Sequence, residues 1–111
     1  MPHCIVEHSP CVEAKELNQK VFLGALESGL FAPDGSDIKV RSIVYENYQT
    51  GEVKEDFIHV GLRILSGRSD ADKLSLSQSV LTQLESLNLS KASLTVEITD
   101  MDRDSYSKKI V

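Results

Sequence analysis

The chain repeats one order of hydrophobic segments twice, with an offset of roughly 57–60 residues. Each copy is typical of a strand, an amphipathic helix and a second strand. A crossover through a helix is right-handed and makes its two strands parallel. The pattern therefore predicts one α+β domain over residues 1–111, with pseudo-repeats at about 2–48 and 55–101, a four-stranded mixed sheet and both helices on one face. The predicted strands are 2–7, 38–45, 57–64 and 94–98.

Capping residues predict where the two helices begin and end. Ser9 and Pro10 predict the start of the first helix, because serine caps helices and proline fits the first helical position. Gly29 predicts its end, since glycine takes the left-handed conformation without a steric cost. Ser69, with Asp72 three residues later, predicts the start of the second helix through a capping box.

Strand pairing and burial follow from the hydrophobic pattern. The polar turn between strands 38–45 and 57–64 predicts an antiparallel hairpin. Strands 2–7 and 57–64 carry apolar residues at both odd and even positions, and therefore on both faces of the sheet. We therefore expect the sheet face without helices to pack against other subunits. The predicted core face of the second helix comprises Leu74, Val80, Leu81, Leu84 and Leu87.

The charge balance narrows the possible partners. With 17 acidic and 12 basic side chains the net charge is −5, and no long basic run is present. Such a chain lacks the electrostatic footprint needed for nucleic acid or an anionic membrane surface. Its apolar stretches are too short to span a bilayer, and two cysteines, Cys4 and Cys11, do not make a disulfide framework. These features predict a cytoplasmic protein with free thiols.

Metal and nucleotide cofactors are not expected. His3, Cys4, His8 and Cys11 lie near one another in sequence. Along a strand, however, Cys4 and His8 are about 13 Å apart, whereas the ligands of one zinc ion all lie within about 2.3 Å of it. Cys4 is therefore interpreted as a core residue, and His59 as a packed or interface histidine. Glycine-rich phosphate loops need more glycines than the 66–69 segment supplies.

Two arginines and the second residue could serve a small anionic ligand. Arg68 lies just before a helix N-terminus, where free N–H groups favour a carboxylate, although a solvated loop arginine is an equal explanation. Arg41 lies in an otherwise apolar strand, which indicates either a ligand contact or a structural ion pair. If Met1 is removed, Pro2 becomes a secondary amine that can act as a general base, although many chains begin Met-Pro without a catalytic reason.

Three segments resemble the 5-carboxymethyl-2-hydroxymuconate delta-isomerase family of the tautomerase superfamily. They are Pro2-His3-Cys4-Ile5-Val6-Glu7, Val40-Arg41-Ser42 and Gly67-Arg68-Ser69, and the likeness extends over nearly the whole chain. Residues 58–73 and 96–101 also resemble the smaller 4-oxalocrotonate tautomerase. The duplication then corresponds to two fused copies of the β-α-β unit of this superfamily.

The resemblance implies a cofactor-independent isomerase with an N-terminal proline. Pro2 would carry the proton, while Arg41 and Arg68 would hold the carboxylates and polarise the 2-oxo or enol oxygen of an unsaturated dicarboxylate or tricarboxylate from aromatic catabolism. Lys39 lies on the same strand face as Arg41 and could assist. Phe57 stands inside the chain where the small enzymes begin with proline, so one proline site per subunit of a homotrimer is expected.

Two other kinds of function stay open at this point. The same pocket could run another proline-based reaction, such as hydration, decarboxylation or phenylpyruvate tautomerisation, because one fold hosts several chemistries. A non-catalytic binding protein of the same fold would keep Pro2 for structural reasons and would turn over no unsaturated 2-oxo acid.

Overall fold

The computed structural model describes all 111 residues. Four strands form one sheet in the order β2-β1-β3-β4, in which the outer pairs are parallel and the central β1–β3 pair is antiparallel. Both helices cover the same sheet face, which confirms the predicted α+β fold class. The elements are β1 (His3–His8), α1 (Ala14–Glu27), β2 (Lys39–Val44), β3 (Asp56–Leu65), α2 (Asp70–Glu85) and β4 (Ala92–Met101).

The predicted hairpin between the second and third strands is wrong. β1 lies between β2 and β3, so residues 45–55 carry the chain past the end of β1 rather than around a tight turn. Every second residue of β1 and β3 is buried, whereas β2 is exposed along most of its length. The two well-buried strands therefore occupy the centre, and β2 with its charged residues lies at an edge, where solvent reaches it.

The start of the first helix also differs from the prediction. α1 begins at Ala14, and Ser9 does not cap it. Ser9 is fully buried; its hydroxyl donates to the Asp56 carboxylate (3.0 Å) and accepts from the Phe57 N–H (3.0 Å). It therefore ties the end of β1 to the start of β3. The end of α1 is as predicted, with Gly29 at a φ of 74° directly after the Ser28 cap.

The second helix begins as predicted, but its buried face is rotated. The Ser69 hydroxyl accepts from the Asp72 N–H at 3.1 Å, which confirms the cap. Leu74 was predicted in the core and is 58% exposed, whereas Leu76 is fully buried beside Val80 and Leu84. The leucine spacing allowed both faces, and packing against α1 selects the one that includes Leu76.

The core lies between the helices and one face of the sheet, and the helices touch closely. Its strand residues alternate along β1 and β3, as the two-residue period requires. Gly24 of α1 lies against Val80 of α2; an added Cβ would be 2.7 Å from the Val80 Cα. The Ser79 hydroxyl donates to the Gly24 carbonyl at 2.7 Å. The buried hydrophobic residues are Cys4, Val6, Leu17, Val21, Ala25, Ile38, Ile58, Val60, Leu62, Ile64, Leu76, Val80 and Leu84.

The other sheet face carries no helix, and it is more polar than the sequence pattern predicted. The strand register places Ile5 and Gly61 near its middle, with charged or polar side chains around them. Neither helix is long and apolar enough to cross a membrane. The residues pointing to this open face are Lys39, Arg41, Ile43, His3, Ile5, Glu7, Phe57, His59, Gly61, Arg63, Thr95, Glu97 and Thr99.

Candidate active site

A cavity of about 280 Å³ lies where the chain begins. Because β1 and β3 are antiparallel, with His3 opposite Arg63, the start of β1 lies beside the end of β3 and the loop that follows it. The segment after α1 closes the other side. We call this space the N-terminal cavity; it is lined by Met1, Leu30, Phe31, Ala32, Asp37, Ile64, Leu65, Arg68 and Arg103.

The terminal amine is held at this cavity by Asp37. It donates to the Asp37 carbonyl and lies 3.8 Å from the Asp37 carboxylate. Burial lowers the pKa of the amine below its ordinary value of 8.0, Lys39 and Lys108 lower it further, and the Asp37 charge acts in the opposite direction. Pro2 is fully buried next to it, and the Pro2 carbonyl accepts from the Lys39 N–H at 3.1 Å.

Two arginines line the N-terminal cavity, and the sequence had suggested one of them. Arg68 follows β3 and donates through Nη2 to the Leu30 carbonyl at 2.5 Å. Arg103, in the polar tail after β4, donates through Nε to the Ser66 carbonyl at 3.1 Å. Sequence reasoning missed Arg103 because the tail has no hydrophobic period. Its position depends on the parallel pairing of β3 and β4, which brings the residues after both strands to one edge.

Arg41 lies outside the N-terminal cavity, on the open face of edge strand β2 opposite Ile5. It is exposed, so the argument that a mid-strand arginine must be costly to bury does not apply. Its Nη1 is 3.3 Å from Nδ1 of His3, and Nε2 of His3 lies 3.0 Å from the Tyr106 hydroxyl. Burial, followed by the charges of Arg41 and Lys39, lowers the pKa of His3. A neutral His3 therefore accepts from Arg41.

Lys39 links the two regions. It lies opposite His3 on the open face, and its ammonium is 3.5 Å from the Asp37 carbonyl that also receives the terminal amine. The structure thus brings Met1 and Arg68 together at one cavity, with Pro2 buried next to Met1. It leaves Arg41 and Lys39 on the neighbouring edge of the sheet.

His59 has an acidic partner that the sequence did not reveal. Its Nε2 is 2.5 Å from the Glu97 carboxylate and its Nδ1 is 2.7 Å from the Thr95 hydroxyl. Both partners come from β4, far away in sequence. His59 and Glu97 line part of a second cavity, of about 470 Å³, on the open face, which is also lined by Glu7 and Arg63.

His8 and Cys4, which the sequence placed among the possible metal ligands, are structural residues. His8 is buried and its Nδ1 lies 2.7 Å from the Ser9 carbonyl, while His3 points to the opposite sheet face. Burial raises the pKa of the Cys4 thiol to about 12, so this side chain is protonated and belongs to the core. No three His, Cys, Asp or Glu side chains lie close enough to share a metal ion.

Known proteins share this fold over most of their length. A 5-carboxymethyl-2-hydroxymuconate delta-isomerase matches with a TM-score of 0.74 and 15% identity, covering 100% of this chain and 89% of its own. A 5-carboxymethyl-2-hydroxymuconate isomerase from Deinococcus radiodurans R1 matches with a TM-score of 0.75 and 23% identity, covering 97% and 88%. A fused 4-OT described as a symmetric trimer matches with a TM-score of 0.79 and 15% identity, covering 96% and 90%.

A family model carries more weight than these distant structural matches. Proteins of curated function give no significant sequence match. The family model of 5-carboxymethyl-2-hydroxymuconate isomerase, however, matches residues 2–110. That range includes Pro2, both β-α-β units and the two arginines of the N-terminal cavity. The chain therefore belongs to the 5-carboxymethyl-2-hydroxymuconate isomerase family, a family of isomerases in the tautomerase superfamily.

Proposed function

We propose that the protein isomerises an unsaturated 2-hydroxy or 2-oxo dicarboxylate or tricarboxylate, of the 5-carboxymethyl-2-hydroxymuconate type, with Pro2 as the base. The observation that carries the proposal is that the chain begins at a cavity that is also lined by Arg68. Met1 occupies part of that space, and Pro2 is buried next to it. Removal of Met1 turns the Pro2 nitrogen from an amide into a secondary amine and clears the space in front of it.

The reaction needs one proton carrier and no change in oxidation state. The Pro2 nitrogen takes the proton from the 2-hydroxyl group of the dienol while the oxygen–hydrogen electron pair forms the carbonyl bond. The conjugated double bonds shift along the chain, and the new nucleophilic carbon receives a proton from the prolinium. Substrate and product have the same atoms, and the proton taken from oxygen is returned to carbon, so the step balances without an oxidant or reductant.

The electrostatic setting of the chain start supports this role. Desolvation favours the neutral form of an amine there, as the lowered pKa of the Met1 amine indicates. A free lone pair near neutral pH is what a base requires. Arg68 would hold a substrate carboxylate and stabilise the negative charge of the dienolate. Arg41 and Lys39 belong to the same proposal as further substrate contacts, at the neighbouring edge of the sheet.

A homotrimer completes the proposal. The open sheet face exposes Ile5 between charged neighbours, and related folds are described as symmetric trimers. Arg41 projects from this face at an edge of the sheet, where a neighbouring subunit could bring it to another subunit's cavity. Two free cysteines fit a reducing cytoplasm, and a substrate of this type places the protein in the breakdown of aromatic compounds.

The decisive experiment combines intact mass with an absorbance assay on 5-carboxymethyl-2-hydroxymuconate. Protein that begins at Pro2 should be active, and protein with Met1 or one added residue before Pro2 should lose turnover by orders of magnitude. Pro2→Ala keeps a terminal amine but loses the ring, and it should fall between the two. Full activity with Met1 attached would contradict the proposal. Turnover of phenylpyruvate in the same samples tests whether the pocket accepts a monocarboxylate.

A further inference from the structure

We propose that Arg103 is a specificity-determining residue that binds a second carboxylate of the ligand in the N-terminal cavity. The inference deepens the proposed function and rests on it for the identity of the reaction. Its evidence is separate, however: it comes from the tail after β4. Arg103 is the second guanidinium group in the lining, beside Arg68.

Arg103 is held in place by backbone contacts on both sides of the tail. The Ser66 N–H donates to the Met101 carbonyl at 3.0 Å, and the Ser66 carbonyl accepts from Nε of Arg103 at 3.1 Å. Beyond it, the Tyr106 N–H donates to the Asp102 carbonyl at 3.1 Å, which closes a turn. The Tyr106 hydroxyl then meets His3. The tail therefore positions Arg103 as part of the fold rather than as a loose end.

The guanidinium group of Arg103 lies within van der Waals reach of Gly67. A Cβ at Gly67 would lie 3.8 Å from Nη2 of Arg103, and Gly67 has a φ of 117°, which favours glycine. The planar group thus lies over the backbone just before α2. It is next to Arg68, the residue that follows this glycine.

The charges of the two arginines are not neutralised within the chain. Of 17 acidic side chains, none forms an ion pair with Arg68 or Arg103. The acidic residue in the cavity, Asp37, lies beside the start of the chain and forms no ion pair with either arginine. Each guanidinium has five N–H donors, and the hydrogen bonds to Leu30 and Ser66 use one each. Donors remain for two carboxylates.

The walls between the charged groups fit a hydrocarbon spacer. Leu30, Phe31, Ile64 and Leu65 contribute apolar surface to the same cavity. A ligand with two carboxylates joined by an apolar chain can pair one end with Arg68 and the other with Arg103. A monocarboxylate of similar size fills the cavity and uses one arginine. The preference for the diacid therefore depends on Arg103.

The test compares Arg103→Gln with the parent protein in two measurements. The first is kcat/KM for 5-carboxymethyl-2-hydroxymuconate and for phenylpyruvate. The second is calorimetric binding of adipate and hexanoate, which requires no turnover. Loss of a charge-assisted bond of about 1.5–3 kcal/mol corresponds to a decrease of roughly 10- to 100-fold for the two polycarboxylates. The monocarboxylates should change less than threefold, and Arg103→Lys should keep part of the preference.

Controls separate the possible failures. Lys15→Gln removes a positive charge from an exposed position of α1 that forms no hydrogen bond or ion pair, and it should change nothing. Suppose that the parent turns over neither substrate, and that it prefers adipate to hexanoate whereas Arg103→Gln does not. The proposed function then fails and the role of Arg103 stands. Equal losses for diacid and monoacid, no loss for either, or no binding of adipate by the parent would overturn the role of Arg103.

Discussion

Ser9→Ala tests the contact by which Ser9 joins the end of β1 to the start of β3, which we call the clamp. The Ser9 hydroxyl accepts from the Phe57 N–H and donates to the Asp56 carboxylate, and the side chain is fully buried. Alanine removes both bonds without a steric clash. The Phe57 N–H then loses its acceptor in a place that water does not easily reach.

The expected loss of stability is large for so small a change. An unpaired buried donor costs about 1–3 kcal/mol, and the lost hydrogen bond to the half-buried Asp56 carboxylate adds about 1 kcal/mol, for a total of roughly 2–4 kcal/mol. For a chain of this length, an unfolding entropy of about 2.1 cal/mol/K per residue converts each kcal/mol into about 4 °C. Ser9→Ala should therefore lower Tm by roughly 8–16 °C. Calorimetry at one fixed protein concentration measures the shift, because oligomers unfold in a concentration-dependent way.

Two further variants distinguish a clamp from a helix cap. Aspartate serves as well as serine at an N-cap, so Ser9→Asp would keep the parent Tm if Ser9 capped α1. In the clamp, Ser9→Asp places a second carboxylate beside Asp56 and should be at least as destabilising as alanine. Ser75→Ala is the matched control, since Ser75 is exposed on α2 and makes no hydrogen bond. A parent-like Tm for Ser9→Asp, or a shift below about 2 °C for Ser9→Ala, would refute the reasoning.

Two more predictions concern the helix contact and the edge of the site. Gly24→Ala places a Cβ 2.7 Å from the Val80 Cα. Alanine has the better helix propensity, but the overpacking should outweigh it and lower the free energy of unfolding by roughly 1–3 kcal/mol. Urea titrations measure this change. An unchanged or higher midpoint would contradict the close contact. The pKa of His3 is lowered by burial and by Arg41, so below pH 6.5 the unfolded chain binds this proton before the folded chain does, and stability falls as the pH falls. His3→Gln should flatten the dependence of Tm on pH below about 6.5. An identical slope in both proteins would show that the folded and unfolded chains bind this proton equally well.

The sequence predicted the elements well because local patterns determine them. All four strands, α2 and the end of α1 lie close to their predicted positions, and the Ser69 cap is confirmed. The order of the strands was harder, since a hairpin between neighbouring strands is the commonest local solution. The difference in side-chain burial between β1 and β2 explains why the hairpin does not form. β2 exposes Lys39 and Arg41 and suits an edge, whereas β1 has residues to bury and suits the centre.

The sequence predicted the site residue that a local signal marks and missed the residues whose positions depend on long-range strand pairing. Arg68 was identifiable because it stands next to a helix start, which is a local signal. Arg103 and Glu97 were not, because their partners Ser66 and His59 come from other strands or loops. Such juxtapositions depend on the parallel register of β3 and β4, which hydrophobic periodicity does not encode.

The two ends of the central strand pair explain why a duplicated fold carries a single cavity of this kind. Where β1 begins and β3 ends, the chain start and Arg68 border an open space. At the opposite end Ser9 closes the gap, and the rings of Tyr45 and Tyr48 pack on Phe57 at centroid distances of 6.2 and 5.0 Å. A second site there would need a free amine at Phe57 and a cation after β1. The peptide chain runs through Phe57, and none of residues 9–13, between β1 and α1, carries a positive charge. The contacts that hold the two units together therefore also restrict the proposed chemistry to the first one.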